Sequence, residues 1–133
     1  MAKKQFIQPT GLANPGTYTH VVTAEGGKVV FIAGQVAQDA NGQIVGKADL
    51  RAQTQQVLEN LKTALAAAGA TFDDVVKINI YAVNYTPADR EVRLEVLARF
   101  LSKSHPPAST MIGVPALARP EYLIEIEAIA FVG

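Results

Sequence analysis

The chain has 133 residues, a length that predicts one domain with one hydrophobic core over residues 1–133. Its 12 basic and 12 acidic residues cancel, so the overall charge gives no reason to expect nucleic-acid binding, and the absence of cysteine excludes disulfides, cysteine-based metal sites and a cysteine nucleophile. Because 49% of the residues are hydrophobic and only 18% are charged, we expect self-association to cover part of the surface.

The first residues give no sign of export or membrane insertion. Met1–Ile7 contains two lysines but lacks the apolar segment of a signal peptide, and the chain contains no run of about 18 apolar residues. We therefore expect a cytoplasmic protein without a membrane partner.

The N-terminal part of the chain is predicted to be rich in strands. Residues 4–8 are typical of a short edge strand, and residues 17–23 are rich in β-forming residues. Residues 28–33 form a continuous apolar run with the length of a buried strand. Since Gly26-Gly27 separates two strand-like runs, the pattern predicts a β-hairpin.

Two amphipathic helices are predicted farther along. After a turn at residues 39–42, Asp49 is a candidate N-cap and Gly69 is the natural end of the first helix. The second helix is predicted to begin at Thr86-Pro87 and to run to about Ser104. Residues that recur every three or four positions mark the buried stripes, which are Leu50, Thr54, Val57, Leu61, Leu65 and Ala68 in the first helix and Val92, Val96, Leu97, Phe100 and Leu101 in the second.

Three further strands are predicted, at residues 74–84, 109–114 and 122–133. The resulting order, β-β-β-α-β-α-β-β, is typical of an α+β domain with two helices on one face of a mixed sheet. Two helices can cover only one face of such a sheet, so we expect another subunit to cover the other.

The last strand carries two carboxylates inside an apolar run. Glu125 and Glu127 are two residues apart, so they share one face of the strand, while the isoleucines and alanines between and beside them share the other. Buried carboxylates are costly unless they are solvated, paired or part of a site. Pairing with Lys77 or with an arginine across the sheet would satisfy them. Glu125, which is nearer to the preceding loop, is the better candidate for a general base or for holding a water.

A few other residues are candidates for a binding site. Gly34-Gln35 ends an apolar strand, where a glycine allows a ligand to approach closely, although a simple strand exit explains it equally well. Tyr18 is expected to bury its ring and to place its hydroxyl at a rim. His20 and His105 have no ligand-like spacing, and the chain has no phosphate-binding glycine motif, so we expect no metal and no cofactor.

Several segments, in order and over nearly the whole chain, carry a family resemblance. They are Pro15-Gly16-Thr17-Tyr18, residues 31–36 (Phe-Ile-Ala-Gly-Gln-Val), the helix at residues 55–69, Asp74-Val75-Val76-Lys77, Pro107-Ala108-Ser109-Thr110 and residues 124–130 (Ile-Glu-Ile-Glu-Ala-Ile-Ala). Together they resemble the Rid family of reactive intermediate deaminases, which is also called YjgF-like and is often labelled endoribonuclease L-PSP.

The resemblance implies a fold and an activity. It implies a chorismate-mutase-like α+β fold and a homotrimer with helices outside, sheets at the centre and small-molecule clefts between neighbouring subunits. In the deaminase branch of the family the substrate is an enamine or imine such as 2-aminoacrylate. Water adds to the C=N carbon and ammonia leaves.

The chain departs from the family pattern at three site positions. Ser109 stands where the family has an arginine that grips the substrate carboxylate, Ala33 stands where it has a serine, and Arg93 lies near the position of a supporting asparagine. Tyr18 and Glu125 match. The resemblance therefore implies that Glu125 positions water, and that Tyr18, Ala33, Gly34, Gln35, Arg93, Ser109 and Met111 are substrate-binding residues; Arg119 is a further substrate-binding candidate because of its place in the loop before the last strand.

Three functions follow from these observations. The first is hydrolytic deamination of an enamine or imine, and the second is a trimer that binds a small metabolite without turnover. Endoribonuclease activity is the weakest of the three, because a chain with no net charge offers no basic surface for RNA. Arg119, in the loop before the last strand, is a candidate replacement for the missing arginine. The alternatives for it are a solvated loop residue and a salt bridge between subunits.

Overall fold

The computed structural model describes residues 3–133. Met1 and Ala2, the first residues of the segment considered above as a signal peptide, lie outside the described residues. The chain forms six strands and two helices in the predicted order: β1 (Lys3–Ile7), β2 (Val21–Glu25), β3 (Lys28–Gln35), α1 (Leu50–Ala67), β4 (Val75–Val83), α2 (Pro87–Leu97), β5 (Ala108–Val114) and β6 (Ile124–Val132). A short 3-10 turn, Phe72–Asp74, leads into β4.

Four strands form a mixed sheet in the order β3-β6-β4-β5. β6 pairs antiparallel with both β3 and β4, whereas β4 and β5 are parallel. α1 and α2 pack on one face of this sheet, which confirms the α+β arrangement. The core between the two layers includes Ile32, Val57, Leu58, Leu61, Leu65, Ile78, Ile80, Val96, Leu97, Ile124, Ile126, Ala128 and Ala130.

The predicted hairpin at Gly26-Gly27 is wrong. The chain does turn there, and Gly26 has a φ of 75°, but β2 pairs with β1 in a separate two-stranded sheet. β3 pairs instead with β6, because that strand offers a longer apolar partner whose inner face lies in the core. The Gly-Gly pair therefore predicted the turn correctly, but it did not predict which strand pairs with β3.

Both helices begin as predicted, but the second is shorter than expected. The Asp49 side chain accepts a hydrogen bond from the Ala52 N–H at 3.0 Å, and Gly69 follows the end of α1 with a φ of 72°. α2 ends at Leu97 rather than near Ser104. There the backbone tightens, since the Phe100 N–H donates to the Leu97 carbonyl at 3.0 Å, and the Phe100 ring then packs edge-on against Phe72.

Gln53 is a fully buried polar side chain that ties α1 to two loops. Its Nε2 donates to the Gly46 carbonyl at 3.1 Å and to the Glu121 carbonyl at 2.8 Å. Its Oε1 accepts from the Leu123 N–H at 2.8 Å. One side chain thereby pairs three backbone groups and fixes the residues that lead into β6.

The sheet face opposite the helices is uncovered and partly apolar. Phe31, on β3, has 78% of its surface exposed, and Val29 and Ile112 are exposed as well. β3 was expected to be buried on both faces, but within a single chain only its Ile32 side lies in the core. No helix within residues 3–133 is long and apolar enough to cross a membrane.

We expect Gln53→Leu to destabilise the fold by roughly 2–4 kcal/mol, because two backbone carbonyls and one N–H lose their partner inside the protein. Urea denaturation at a fixed protein concentration measures this change. Gln55→Leu, the same substitution two residues away at a partly exposed position, is the matched control and should shift the free energy of unfolding by less than about 0.5 kcal/mol. Equal midpoints for the two variants would contradict the role given to Gln53.

Candidate functional site

A cavity of about 530 Å³ opens between α2, β5 and the loop at residues 15–18. Its polar and charged lining comes from Tyr18, Arg90, Arg93, Lys103 and Ser109, and its apolar lining includes Ile78, Leu94, Leu97 and Met111. Its volume and its mainly apolar lining are typical of a small-molecule site.

Tyr18 is held at the cavity by hydrogen bonds of its neighbour Thr19 and of Gln8, the residue after β1. The Thr19 N–H donates to the Pro107 carbonyl at 3.2 Å, and the Thr19 hydroxyl donates to the Pro106 carbonyl at 2.5 Å. The Gln8 Nε2 donates to the Tyr18 carbonyl at 2.9 Å. The loop that carries Tyr18 is therefore tied to the segment that enters β5.

Ser109 and Met111 reach the cavity because they lie on the helix-facing side of β5. Ser109 pairs with Ile78 and Met111 pairs with Ile80, and both isoleucines belong to the core. Side chains alternate along a strand, so Thr110, between the two, points to the uncovered face. The predicted site residues of β5 therefore both line the cavity.

Arg90 and Arg93 lie on the face of α2 that borders the cavity. They are three residues apart, and Leu94 and Leu97 continue the same helical stripe. Arg90 is exposed and pairs with Glu91 at 3.3 Å. The Arg93 Nε is buried and has no hydrogen-bond partner among residues 3–133. No aspartate or glutamate lines the cavity within that range, so its charge is positive.

Glu125 lies on the opposite face of the sheet, against β3. Gly34 makes room for its carboxylate, since a Cβ at that position would be 2.5 Å from the Glu125 Oε1. Beside it, the Gln35 Nε2 donates to the Ala33 carbonyl at 3.0 Å. Ala33, Gly34, Gln35 and Glu125 therefore form a second group of candidate residues at one end of β3.

The Glu127 carboxylate accepts a hydrogen bond from a tyrosine and does not pair with the lysine considered above. The Tyr81 hydroxyl donates to its Oε1 at 2.8 Å, and Asn79 gives a longer contact at 3.5 Å. The expected pairing of Glu127 with Lys77 is wrong, because the Lys77 ammonium donates instead to the Thr110 hydroxyl at 2.8 Å. Across the sheet, Tyr81 and Asn79 are the direct neighbours of Glu125 and Glu127.

Glu127 raises the pKa of two neighbouring groups, Glu125 and Tyr81. Burial raises the pKa of Glu125 above its ordinary value of 4.5, and the charge of Glu127 raises it further. The hydrogen bond to Glu127 is the main reason why the pKa of Tyr81 is raised. Between pH 4.5 and the raised pKa of Glu125, the folded chain retains a proton that the unfolded chain releases, so the contribution of this group to stability is lost as the pH rises through the folded-state pKa.

The candidate residues thus separate into two groups within one chain. Tyr18, Arg93, Ser109 and Met111 line the cavity, whereas Ala33, Gly34 and Glu125 lie toward the other face of the sheet. Gln35 pairs with the core residue Ile126, so it lies on the helix-facing side of β3. Arg119 is exposed in the loop between β5 and β6, outside the cavity of its own chain, and its carbonyl accepts from the Tyr122 N–H at 3.2 Å. Its role in binding stays a prediction.

Sequence reasoning missed Arg90 and Lys103, which also line the cavity. The three-residue spacing of Arg90 and Arg93 on a predicted helix was a signal for the first. Nothing in the sequence pattern indicated Lys103. Within residues 3–133, no three histidine, aspartate or glutamate side chains are grouped so that they could hold a metal ion.

The sequence profile of the family described as Endoribonuclease L-PSP matches residues 10–132. The chain belongs to this family, the Rid or YjgF-like family. A crystal structure of a Rid-family protein of unknown function from Yersinia pestis has a TM-score of 0.90 and 45% sequence identity to this chain, and the likeness covers 97% of this chain and 98% of that one. The YjgF-like fold expected from the sequence is thereby confirmed.

Two curated relatives extend the comparison. A RutC family protein from Pyrococcus horikoshii is 39% identical over 116 residues, which is 87% of each chain. A 2-iminobutanoate/2-iminopropanoate deaminase from Dermatophagoides farinae is 29% identical over 133 residues, which is 99% of each chain. The Rid-family chain is thus similar, over 99% of its length, to a protein named as a deaminase of 2-iminobutanoate and 2-iminopropanoate.

We expect Glu127→Gln to lower the pKa of Glu125 toward 4.5 without restoring that value fully, because burial of Glu125 remains after the neighbouring charge is removed. Carbon-13 NMR titration of the glutamate carboxyl groups measures the change. Glu59→Gln, on an exposed position of α1, is the control and should leave the Glu125 titration where it is. An unchanged Glu125 curve in the Glu127 variant would show that the two charges do not interact.

Proposed function

We propose that this Rid-family protein hydrolyses a reactive enamine or imine and releases ammonia. The observation that carries the proposal is the pair of residue groups described above, each of which supplies half of a site and is called a half-site here. One is a cavity with hydrogen-bond donors and cations, and the other is a partly buried carboxylate beside a glycine. The relative from Dermatophagoides farinae, which is similar over 99% of both chains, is named as an imine deaminase, and this supports the same chemistry.

The reaction needs little from the protein beyond orientation and one proton acceptor. The enamine tautomerises to its imine, and water then adds to the C=N carbon. Glu125 accepts a proton from that water as the new C–O bond forms and returns it to the nitrogen, which gives the carbinolamine. The carbinolamine hydroxyl then gives its proton to Glu125, which passes it to the amine as the C–N bond breaks, leaving a carbonyl compound and ammonia. A carboxylate with a raised pKa is suited to this exchange because it can return the proton it has taken.

One ligand can contact both half-sites only if the protein is an oligomer. Tyr18, Arg93 and Ser109 lie on one sheet face of a chain and Glu125 lies on the other. We propose a homotrimer in which the uncovered sheet faces pack together. Each cleft then joins the cavity of one subunit to Glu125 of its neighbour. The exposed Phe31, Val29 and Ile112 supply an apolar surface for this assembly.

We expect Glu125→Gln to lower the rate of ammonia release by about 100-fold or more, since the amide cannot accept the proton of the attacking water. The assay generates imines in situ from several amino acids and measures ammonia. Glu25→Gln, on the exposed end of β2, is the matched control and should retain full activity. If the unmodified trimer releases no ammonia from any imine yet binds their carbonyl products, the protein is a metabolite-binding module instead.

We expect Phe31→Asp to dissociate the oligomer, because the substitution places a charge at the most exposed large apolar residue of the sheet face that the subunits bury. Sedimentation velocity over a range of concentrations measures the state. Leu12→Asp introduces the same charge at an exposed apolar residue of a loop and should leave the trimer intact. A single-chain sedimentation coefficient for the unmodified protein would refute the proposed assembly.

A further inference from the structure

The charge of Arg93 is not neutralised by any residue in the described part of the chain, residues 3–133. Its side chain is partly buried on the cavity face of α2, and its Nε is inaccessible to solvent and unbonded within residues 3–133. It also forms no salt bridge with any carboxylate of those residues. A charged N–H that loses hydration without gaining an acceptor is costly, so this position favours an anion that arrives from outside the chain.

The other residues that line the cavity also favour an anion beside Arg93. Arg90 and Lys103 add two positive charges to the cavity lining, and Arg90 shares its charge with Glu91 at the surface. No carboxylate among the described residues lines the cavity to offset them. Among the three cations, only Arg93 has a partly buried side chain, so its attraction for an anion is the least screened by water.

The rest of the cavity is suited to the other end of a ligand. Ile78, Leu94, Leu97 and Met111 form an apolar wall, and Tyr18 and Ser109 contribute hydroxyl groups. A volume of about 530 Å³ exceeds what a three-carbon acid fills. A ligand with an anionic head and an apolar body of several carbons matches both parts of this lining.

We propose that Arg93 is the anion-binding residue of this cavity, and that it holds the carboxylate of a 2-imino acid whose side chain is apolar and larger than a methyl group. The guanidinium forms two charge-assisted hydrogen bonds to the carboxylate, which fixes its orientation. Ser109 and Tyr18 donate from the neighbouring walls, and the apolar side chain packs on Leu97 and Met111. The inference rests on the proposed deaminase function for the identity of the imine group.

The test uses stable 2-oxo acids, the products of the proposed reaction, as probes in calorimetric titrations of the oligomeric protein. We expect 4-methyl-2-oxopentanoate to bind about tenfold more tightly than pyruvate, because its longer side chain buries more apolar surface. We expect Arg93→Gln to weaken binding of both acids by about tenfold or more, and Arg93→Lys to weaken it less. Arg99→Gln, which removes the same charge just beyond α2 and outside this cavity, is the matched control and should leave affinity unchanged.

Two results would overturn the inference. One is an Arg93→Gln protein that remains oligomeric and binds 2-oxo acids as the unmodified protein does. The other is a loss of affinity in Arg119→Gln without a loss in Arg93→Gln, which would assign the anion to the loop arginine. If Arg93→Gln does not fold, the Arg93 Nε–H resonance of the unmodified protein decides the matter, since added 2-oxo acid shifts it only if the carboxylate reaches it.

The same titrations separate this inference from the deaminase proposal. Binding that depends on Arg93 in a protein that releases no ammonia supports the anion site and rejects catalysis. Ammonia release with Arg93-independent binding supports catalysis and rejects the anion site.

Discussion

The three hydrogen bonds of Gln53 hold the loop that leads into β6, and β6 is the strand that joins the two halves of the sheet. It lies between β3 and β4 and pairs with both. Because Gln53 anchors Leu123, it also fixes which residues of β6 face the helices and which face away. A shift of one residue would move Ile124 and Ile126 out of the core and the two glutamates into it, so this buried amide protects both the core and the candidate site.

The alternation of side chains along the sheet explains why the candidate site is divided. Residues that face the helices, such as Ser109, share their side with the cavity, and residues that face away, such as Glu125, share theirs with the exposed Phe31. A change of rotamer cannot move a side chain from one face of the sheet to the other. Under the proposed deaminase function, chemistry that uses both groups therefore depends on a second copy of the chain.

Much of the fold was predictable because it follows from local periodicity and from end signals such as Asp49 and Gly69. The pairing of β3 was not, since a Gly-Gly turn says nothing about competition from a strand about a hundred residues later. The resemblance indicated Ser109 and Glu125 as site residues, but their placement on opposite faces of the sheet depends on strand register. The missing partner of Arg93 depends on every side chain around it, and no linear pattern reveals that.

The central place of β6 also has a consequence for how the chain acquires its structure. β3 has its partner strand only after residues 124–132 have been synthesised, so until then its edge and the adjacent edge of β4 are open. Contacts that join such distant segments slow folding, since a long stretch of chain must be closed before they form. The emerging chain therefore exposes unpaired strand edges on the ribosome for most of its synthesis, which makes this interval the period of greatest exposure to aggregation and to chaperones.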